Sequence, residues 1–434
     1  METPPPEAGP RTQGLWRRAF VLVRRNRDFR LLFVAELVSF GGDWFLIVAL
    51  SGLVFRLTGS PALVTAMFVA YNLPFGFVSF IGGPLADRLD RRKVMIASNV
   101  VMGVLALGFL LVDSRGTLWL VYVLAAGISA VSALFEPAAS AAIPNLVDAE
   151  DLAAANAVTG SAWGTMLVVG AGIGGLVVTA FGNDVAYLVD AGSFFVGAVL
   201  LLWVRRPTSQ PREQQEHPAL AQATTEAVRF ARRDHRVLAL FASRVGVGTA
   251  LGVVALLPIV AIDTFHAGDR GTGILFAFRG AGALMGPFLI RPLVRRGALS
   301  RALAAIVLLP AVLASMYALL PWAPGIWVAA SIALCAHLAG GATWTLTTYS
   351  YQSLVPDRVL GRIFGFDGAL ITFMLSASNA VCGVLAVQFG VRAVMSGIGV
   401  VVVAYTLVLW VATRNLRRSL AQAPPAGGLP RAAR

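Results

Sequence analysis

The stretch GGPLADRLDRRKV, residues 82–94, is a short charged segment between two long apolar runs. Residues 87–93 of this stretch contain two carboxylates and four basic groups. In the whole chain of 434 residues only 13% are charged, 57% are hydrophobic, and the mean hydropathy is +0.75. Soluble domains of this size are far less apolar. The composition therefore indicates a membrane protein in which charge is confined to a few places.

Twelve apolar segments are long enough to cross a bilayer, whose hydrocarbon core requires about 20 residues of helix. Because they take up most of the chain, a sizeable soluble domain is excluded, and we expect an all-α membrane protein. The predicted spans are residues 30–55, 63–84, 94–112, 118–138, 157–181, 185–204, 237–262, 273–290, 302–320, 326–347, 363–389 and 394–411.

The basic residues are distributed unevenly between the two sides of the predicted bundle. With both termini in the cytoplasm, 29 of the 35 Lys and Arg residues fall on the cytoplasmic side and two fall within spans. The four on the outside are Arg56, Arg115, Arg270 and Arg392. The positive-inside rule requires this asymmetry. The net charge of +13 is thereby explained without a nucleic-acid partner.

A polar segment, residues 205–236, divides the spans six and six, and from Pro218 its pattern predicts an amphipathic helix. We therefore divide the chain into five parts. They are an interfacial N-terminal segment (1–28), an N-terminal bundle (29–204), the linker (205–236), a C-terminal bundle (237–413) and a cytoplasmic tail (414–434).

The two bundles also resemble each other in sequence. GLVVTAFG at residues 175–182 and GVLAVQFG at residues 383–390 are 208 positions apart. Parallel six-helix repeats of this kind build one large transporter architecture, with the substrate site between the halves. The sequence therefore predicts two six-helix pseudo-repeats.

Residues 83–92, GPLADRLDRR, resemble the loop signature of the major facilitator superfamily, which joins its second and third helices. Asp90 stands where that signature has Gly. GDWF (42–45), FEPAASAAIPNLV (135–147) after span 4 and YQSLVPDRVLGRIFGF (351–366) before span 11 are similar to the branch holding bacterial drug, macrolide and siderophore exporters.

The resemblance implies a monomeric transporter of the bacterial inner membrane that exports a small amphipathic or organic-cationic compound by alternating access. It implies proton antiport, contact with membrane lipids and no cofactor. A siderophore or lysophospholipid carrier, and a receptor or scaffold that has lost transport, are the alternatives. No P-loop motif is present and the four histidines lack metal-ligand spacing, so an enzyme or a metal site is not expected.

The charged loop is expected to act as a gate. Gly83 permits close helix approach, and Asp87 lies where it could accept hydrogen bonds from a helix N-terminus. The resemblance nominates span 11, beginning near Ile363, as that helix. The basic residues of the loop would bind carboxylates or lipid headgroups; they are Arg88, Arg91 and Arg92. A loop that serves only the positive-inside rule would not require Asp87 or Asp90.

Charges within spans are expensive, at roughly 2.5–3.5 kcal/mol each, so they usually face a cavity or a partner. Glu36 and Asp43 are seven residues apart, hence on one face of span 1, and are candidates for proton coupling or substrate binding. Arg244 and Arg279 could pair with them across the halves, although Arg244 could instead extend to the inner surface. His337 is expected to be a neutral, hydrogen-bonded side chain, with a proton relay as the alternative.

Three further acids lie within spans. Asp190 is expected to form a structural salt bridge, while Glu136 and Asp367 lie near inner helix ends, where solvation and function are both open. Span 5 contains GAGIGG, residues 170–175, which resembles the antiporter signature of the superfamily with Ala171 in place of Pro. Its glycines are expected to allow close helix packing; they include Gly170, Gly174 and Gly175.

The charge asymmetry generates a topological prediction. Single cysteines introduced at residues 209–222 of a cysteine-free variant should not react with an impermeant maleimide added to intact cells. They should react after the cells are permeabilised, because the linker is expected to be cytoplasmic. Labelling from the outside would contradict the predicted orientation.

Overall fold

The computed structural model describes residues 11–86, 89–208, 220–290 and 299–422. In these ranges every regular element is helical. The first half contains α1 (Arg11–Arg25), α2 (Arg27–Thr58), α3 (Pro61–Ala86), α4 (Arg91–Gly108), α5 (Trp119–Leu146), α6 (Leu152–Phe181), α7 (Asn183–Leu202) and α8 (Leu220–Arg233). The second half contains α9 (His235–Leu251), α10 (Gly268–Leu289), α11 (Leu299–Leu319), α12 (Ile326–Leu354), α13 (Asp357–Phe389), α14 (Val391–Ala412) and α15 (Arg414–Gln422).

Within the described ranges, twelve helices are long and apolar enough to cross a membrane, which confirms the expected fold class. They are α2 to α7 and α9 to α14. The α9 span continues past Leu251 through a 3-10 segment (Gly252–Leu256), a short α-helical turn (Leu257–Ile259) and a π-helical turn (Val260–Thr264). Because each half has six spans, α1, α8 and α15 lie on one side of the bundle, called here the terminal face. The other side is called the opposite face.

Several helices extend farther at the terminal face than the apolar pattern indicated. The FEPAASAAIPNLV segment, which was expected to follow span 4, lies almost wholly inside α5, which continues to Leu146 with Pro137 and Pro144 within it. Similarly, α13 begins at Asp357, six residues before the expected start near Ile363. Hydropathy detects only the part of a helix that lies in the hydrocarbon, so helical turns beyond it were missed.

At the terminal face, side chains form hydrogen bonds with unpaired backbone groups at the ends of the first-half helices. Asp90, the residue that departs from the family signature, is the N-cap of α4, and its carboxylate accepts from the Arg92 and Lys93 amides at 2.9 and 3.3 Å. Asn26 is the N-cap of α2 and donates to the Leu146 carbonyl at the end of α5, at 2.7 Å. Asp90 is therefore a structural cap in this chain.

Arg91 and Arg92, which were expected to bind carboxylates or lipid headgroups, donate to backbone carbonyls in the structure. Their binding to carboxylates or headgroups stays a prediction. Arg91 donates to the carbonyls of Ala141 and Thr208 at 2.8 and 3.2 Å. Arg92 donates to the Leu201 carbonyl at 3.0 Å and to the next carbonyl of α7. Carbonyls at helix C-termini are unpaired and carry partial negative charge, so they attract cations. Asp87 and Arg88 lie outside the described residues, and Gly83 is part of the last turns of α3.

The glycines of span 5 make the close packing that was expected of them. A Cβ on Gly170 would lie 2.9 Å from the Gly41 carbonyl oxygen, and one on Gly174 would lie 3.0 Å from the Cα of Phe45, both on α2. On the other side of α6, a Cβ on Gly175 would lie 2.9 Å from the Cα of Gly273 on α10. These glycines therefore bring α6 into backbone contact with its own half and with the second half.

The two halves are joined at the opposite face. Besides the Gly175–Gly273 crossing, α13 packs on α3, where a Cβ on Gly383 would lie 3.0 Å from the Cα of Ala62. Arg56 at the end of α2 forms a salt bridge with Asp269 at the start of α10, with 2.6 Å between nitrogen and oxygen. We call this salt bridge the latch. The pair links the first half to the second, so the structure is closed at the opposite face.

The latch should stabilise this closed state modestly, because the Arg56 side chain is 44% exposed and the Asp269 side chain 12% exposed. A salt bridge of this kind contributes about 0.5–1 kcal/mol, which corresponds to a population shift of about two- to fivefold. Asp269→Asn should therefore broaden the distance distribution between spin labels at Ser60 and Val391, which border one pocket from opposite halves.

The matched control is Arg392→Gln at the same face, whose guanidinium lies 5.5 Å from the Trp322 ring within the second half. It should leave the distances between the labels unchanged. Identical distance distributions in Asp269→Asn and the unsubstituted protein would show that the latch does not bias closure.

Candidate functional site

Four carboxylates converge inside the first half, and we call them the acid cluster: Glu36 and Asp43 of α2, Glu136 of α5 and Asp190 of α7. Seven residues of helix separate Glu36 from Asp43, about 10 Å along the α2 axis. Glu136 interacts electrostatically with both, and Asp190 with Asp43. The two candidates chosen from the sequence are therefore part of a larger group that only the fold assembles.

Asp190 was expected to form a structural salt bridge, and the structure shows that this was wrong. Its side chain is 0% exposed, and neither carboxylate oxygen has a partner among the described residues. It is packed against α2 at Gly42, where a Cβ would lie 2.6 Å from Asp190 Oδ1. The neighbouring carboxylate of Asp43 has one oxygen, Oδ1, equally without a partner among the described residues, and the Tyr71 hydroxyl lies near this carboxylate.

Glu136 is the exposed member of the cluster, although it lies ten residues from the end of α5. Its electrostatic neighbours Glu36 and Asp43 lie on α2, and Tyr71 lies on α3. The Glu136 side chain therefore points to the interior of the half rather than to lipid. Its exposed surface opens toward the space between the halves, where water or a substrate has access.

No Lys or Arg forms a salt bridge with the acid cluster among the described residues. A carboxylate in such surroundings is costly unless a proton or a cationic group neutralises it. The cluster is consequently a place that can take up protons, an organic cation, or both in turn.

The second half contains a buried charge with a buried counter-ion. Arg244, 1% exposed, donates through Nε to both oxygens of Asp367 at 2.9 Å, and Tyr351 donates to Asp367 Oδ1 at 2.9 Å. The guanidinium also lies 4.6 Å from the centre of the Trp344 ring. Arg244 neither pairs with Glu36 or Asp43 nor extends to the surface. Its counter-ion lies within its own half because α13 packs beside α9 and brings Asp367 to Arg244.

Arg279 also has no acidic partner among the described residues, contrary to the pairing considered from the sequence. It donates through Nε to His337 Nε2 at 2.9 Å, and the other ring nitrogen of His337 is 3.0 Å from the Tyr317 hydroxyl. Because Nε2 accepts, it carries no proton, and Nδ1 carries the ring proton and donates to Tyr317. His337 is therefore held as a neutral, hydrogen-bonded side chain.

The internal repeat relates these groups across the halves. Glu36 and Arg244 are 208 positions apart, and so are Glu136 and Trp344. That is the offset found between the two glycine-flanked segments of the sequence. At these two equivalent positions the first half has the carboxylates of Glu36 and Glu136. The second half has the Arg244 guanidinium beside the Trp344 ring.

Sequence reasoning missed Tyr71 and the roles of Glu136 and Asp269. Glu36 and Arg244 are 208 positions apart, and the same offset relates Glu136 to Trp344. This repeat was a signal in the sequence that could have identified Glu136 as a site residue. The same offset relates Tyr71 to Arg279, although a tyrosine in an apolar helix is ordinarily a packing residue.

These contacts predict opposite effects for two similar substitutions. Asp190→Asn removes a buried acid that has no partner, so the thermal unfolding midpoint should stay the same or rise. Asp367→Asn leaves Arg244 buried without its counter-ion and should cost about 3–5 kcal/mol, lowering the midpoint. Thermal unfolding of the purified proteins at neutral pH checks both. A large loss of stability in Asp190→Asn would show that this acid has a structural role.

The geometry agrees with comparisons against known proteins. The Major Facilitator Superfamily model matches residues 32–378. The uncharacterized MFS-type transporter YfiS of Bacillus subtilis is 26% identical, with 85% of this chain and 89% of YfiS covered. The enterobactin exporter EntS of Salmonella typhi is 27% identical, with 94% of this chain and 98% of EntS covered. The putative bacilysin exporter BacE of Bacillus subtilis is 28% identical, with 60% and 65% covered.

Solved structures share the fold at low sequence identity. A bacterial homolog of the human lysosomal transporter Spinster has a TM-score of 0.73 and 13% identity, with 93% of this chain and 99% of that chain covered. A POT family transporter has a TM-score of 0.71 and 14% identity, with 90% and 96% covered. Since the family model spans most of the chain and twelve apolar helices are arranged in two halves, this chain belongs to the Major Facilitator Superfamily of multi-pass membrane transporters and is not an enzyme.

Proposed function

We propose that this transporter exports a small organic compound bearing a cationic group, in exchange for protons, across a bacterial inner membrane. The observation that carries the proposal is the acid cluster, a set of buried or interior carboxylates without a basic partner among the described residues. The terminal face would be cytoplasmic, so the structure, closed at the opposite face, would be ready to accept substrate from inside the cell.

Antiport follows if protons and substrate compete for the same carboxylates. In the state closed at the opposite face, Glu136 is in contact with the open space, and Glu36 and Asp43 lie behind it. A cationic substrate displaces protons from the cluster, because a desolvated site tolerates one neutralising charge per carboxylate. When the latch and the contacts at that face open, protons from outside replace the substrate. Each cycle then moves substrate outward and protons inward.

The characterised relatives support export as the direction. The enterobactin exporters align over nearly the whole chain, and the putative bacilysin exporter over part of it. Because the enterobactin exporters are named for a siderophore, a siderophore is the second candidate substrate. The receptor alternative is disfavoured by Asp190, since a buried acid without a hydrogen-bond partner among the described residues costs stability that a protein without transport has no reason to bear.

Uptake and efflux in proteoliposomes with an imposed pH gradient test the proposal, with a panel of organic cations, dyes, antibiotics and siderophores as substrates. A pH-gradient-driven flux of cationic compounds is expected. Flux only of uncharged or anionic compounds, or flux insensitive to the gradient, would contradict it.

Asp43→Asn should abolish efflux driven by the pH gradient, because the amide cannot take up or release a proton. Substrate binding and substrate exchange without a gradient should be retained, with affinity reduced by no more than about tenfold, since Glu36 and Glu136 remain. Glu36→Gln should have a smaller effect on gradient-driven efflux. The rates are compared in proteoliposomes with matched protein content.

The matched control is Asp28→Asn, which alters a buried acid of the same helix. Asp28 accepts from the Arg205 and Arg206 amides at 3.1 Å and lies outside the acid cluster. This variant should leave the pH dependence of efflux unchanged. A well-folded Asp43→Asn protein with normal gradient-driven efflux would exclude Asp43 as the coupling group.

A further inference from the structure

The second half contains a cation that is fixed in orientation but has unused hydrogen-bond donors. Arg279 Nε donates to His337, which is 5% exposed, and His337 in turn bonds to Tyr317, which is 1% exposed. Because the guanidinium is planar, these two bonds set the direction of its terminal nitrogens. The Tyr317 and His337 rings lie edge to face at 82°, which fixes the imidazole further.

The two terminal nitrogens of Arg279 have no partner among the described residues. Arg279 is partly exposed, and its two terminal nitrogens remain accessible. The terminal nitrogen NH1 of Arg244 is also unpartnered, but it is fully buried. For Arg279, the bonding partners His337 and Tyr317 are buried within the second half. A guanidinium edge held in this way matches the two oxygens of a carboxylate.

Two aromatic rings in contact connect Arg279 of α10 to α2, the helix that carries Asp43. The guanidinium carbon is 5.7 Å from the centre of the Phe276 ring, and that ring is 5.7 Å from the ring of Trp44. Trp44 follows Asp43 in the chain. Both charged groups are near the middles of their helices, so they lie at similar depth, one in each half.

A substrate with a single kind of charge fits this arrangement poorly. A cation bound at Asp43 leaves the guanidinium unpaired and repels it, whereas an anion bound at Arg279 meets four carboxylates. A molecule with an amine at one end and a carboxylate at the other would neutralise both groups.

We propose that the transported compound is amphoteric, with its amine bound by the acid cluster and its carboxylate bound by Arg279. This inference rests on the proposed function, whose cationic group becomes the amine of this substrate. It makes Arg279 a substrate-binding residue and makes His337 and Tyr317 its positioning residues. The two halves would then bind opposite ends of one molecule, and substrate would draw them together.

The test uses N-ε-dansyl-lysine, which carries a free α-amine, a free carboxylate and an aromatic body. Its methyl ester lacks the negative charge, and its N-α-acetyl derivative lacks the positive charge. Affinities are measured on the purified full-length protein at neutral pH from the change in dansyl fluorescence. The parent compound should bind at least tenfold more tightly than either derivative, because a charge-assisted bond contributes about 1.5–3 kcal/mol.

Substitutions should separate the two ends of the probe. Arg279→Gln should lower the affinity for dansyl-lysine to that for the ester and leave the ester unaffected. Asp43→Asn should weaken the parent and the ester and leave the acetyl derivative unaffected. Arg279→Lys keeps the charge without the two-pronged edge and should give an intermediate affinity. Arg301→Gln, an exposed arginine at the start of α11, is the control and should change none of the three.

The outcomes distinguish this inference from the proposed function. If the parent binds no more tightly than the ester, but both bind more tightly than the acetyl derivative, the carboxylate site is wrong and the cation site stands. If the acetyl derivative binds as tightly as the parent, the amine contributes nothing to binding. The cation site, and with it the proposed function, is then wrong. Equal effects of Arg279→Gln on acid and ester, in a protein with normal thermal stability, would overturn the inference, as would the absence of saturable binding by all three probes.

Discussion

A charge inside an apolar bundle is stable only when a counter-charge, a proton or a ligand neutralises it, and this constraint organises the interior of the protein. Arg244 satisfies this constraint within its own half, because it donates to its counter-ion Asp367, which also accepts a hydrogen bond from Tyr351. The acid cluster and Arg279 do not meet it with any described residue. The groups left without a counter-charge are therefore the candidates for binding protons and substrate.

The division of labour between the halves follows from their internal repeat. Glu36 and Arg244 occupy equivalent positions but carry opposite charges, and Glu136 corresponds to Trp344. A duplicated bundle with identical charges would hold a substrate by like groups at both ends. The two halves instead differ in charge. The first half contains the acid cluster, and the second half contains the partly exposed guanidinium of Arg279.

Close backbone contact allows the halves to move as bodies. Gly170 and Gly174 hold α6 on α2, and Gly175 meets Gly273 of α10 where side chains would keep the helices apart. The latch between Arg56 and Asp269 closes the same face with a weaker, partly solvated salt bridge. The contacts between the halves combine glycine crossings, the ring pair of Trp44 and Phe276 and one partly exposed ion pair. The proposed alternating access would require these contacts to be exchanged between two states.

The sequence by itself determined the fold class, the number of spans and the family, because hydropathy, spacing and the GPLADRLDRR stretch are local properties of the chain. It also identified Asp43, Glu36, Arg279 and His337 as unusual, since polar residues in apolar helices are visible without coordinates. Only the tertiary structure decided their partners. Arg244 pairs with Asp367, 123 residues away in the chain. Asp190 accepts no hydrogen bond from any residue that the structure describes. Pairing depends on which helix faces meet and at what depth, and hydropathy contains no information about either.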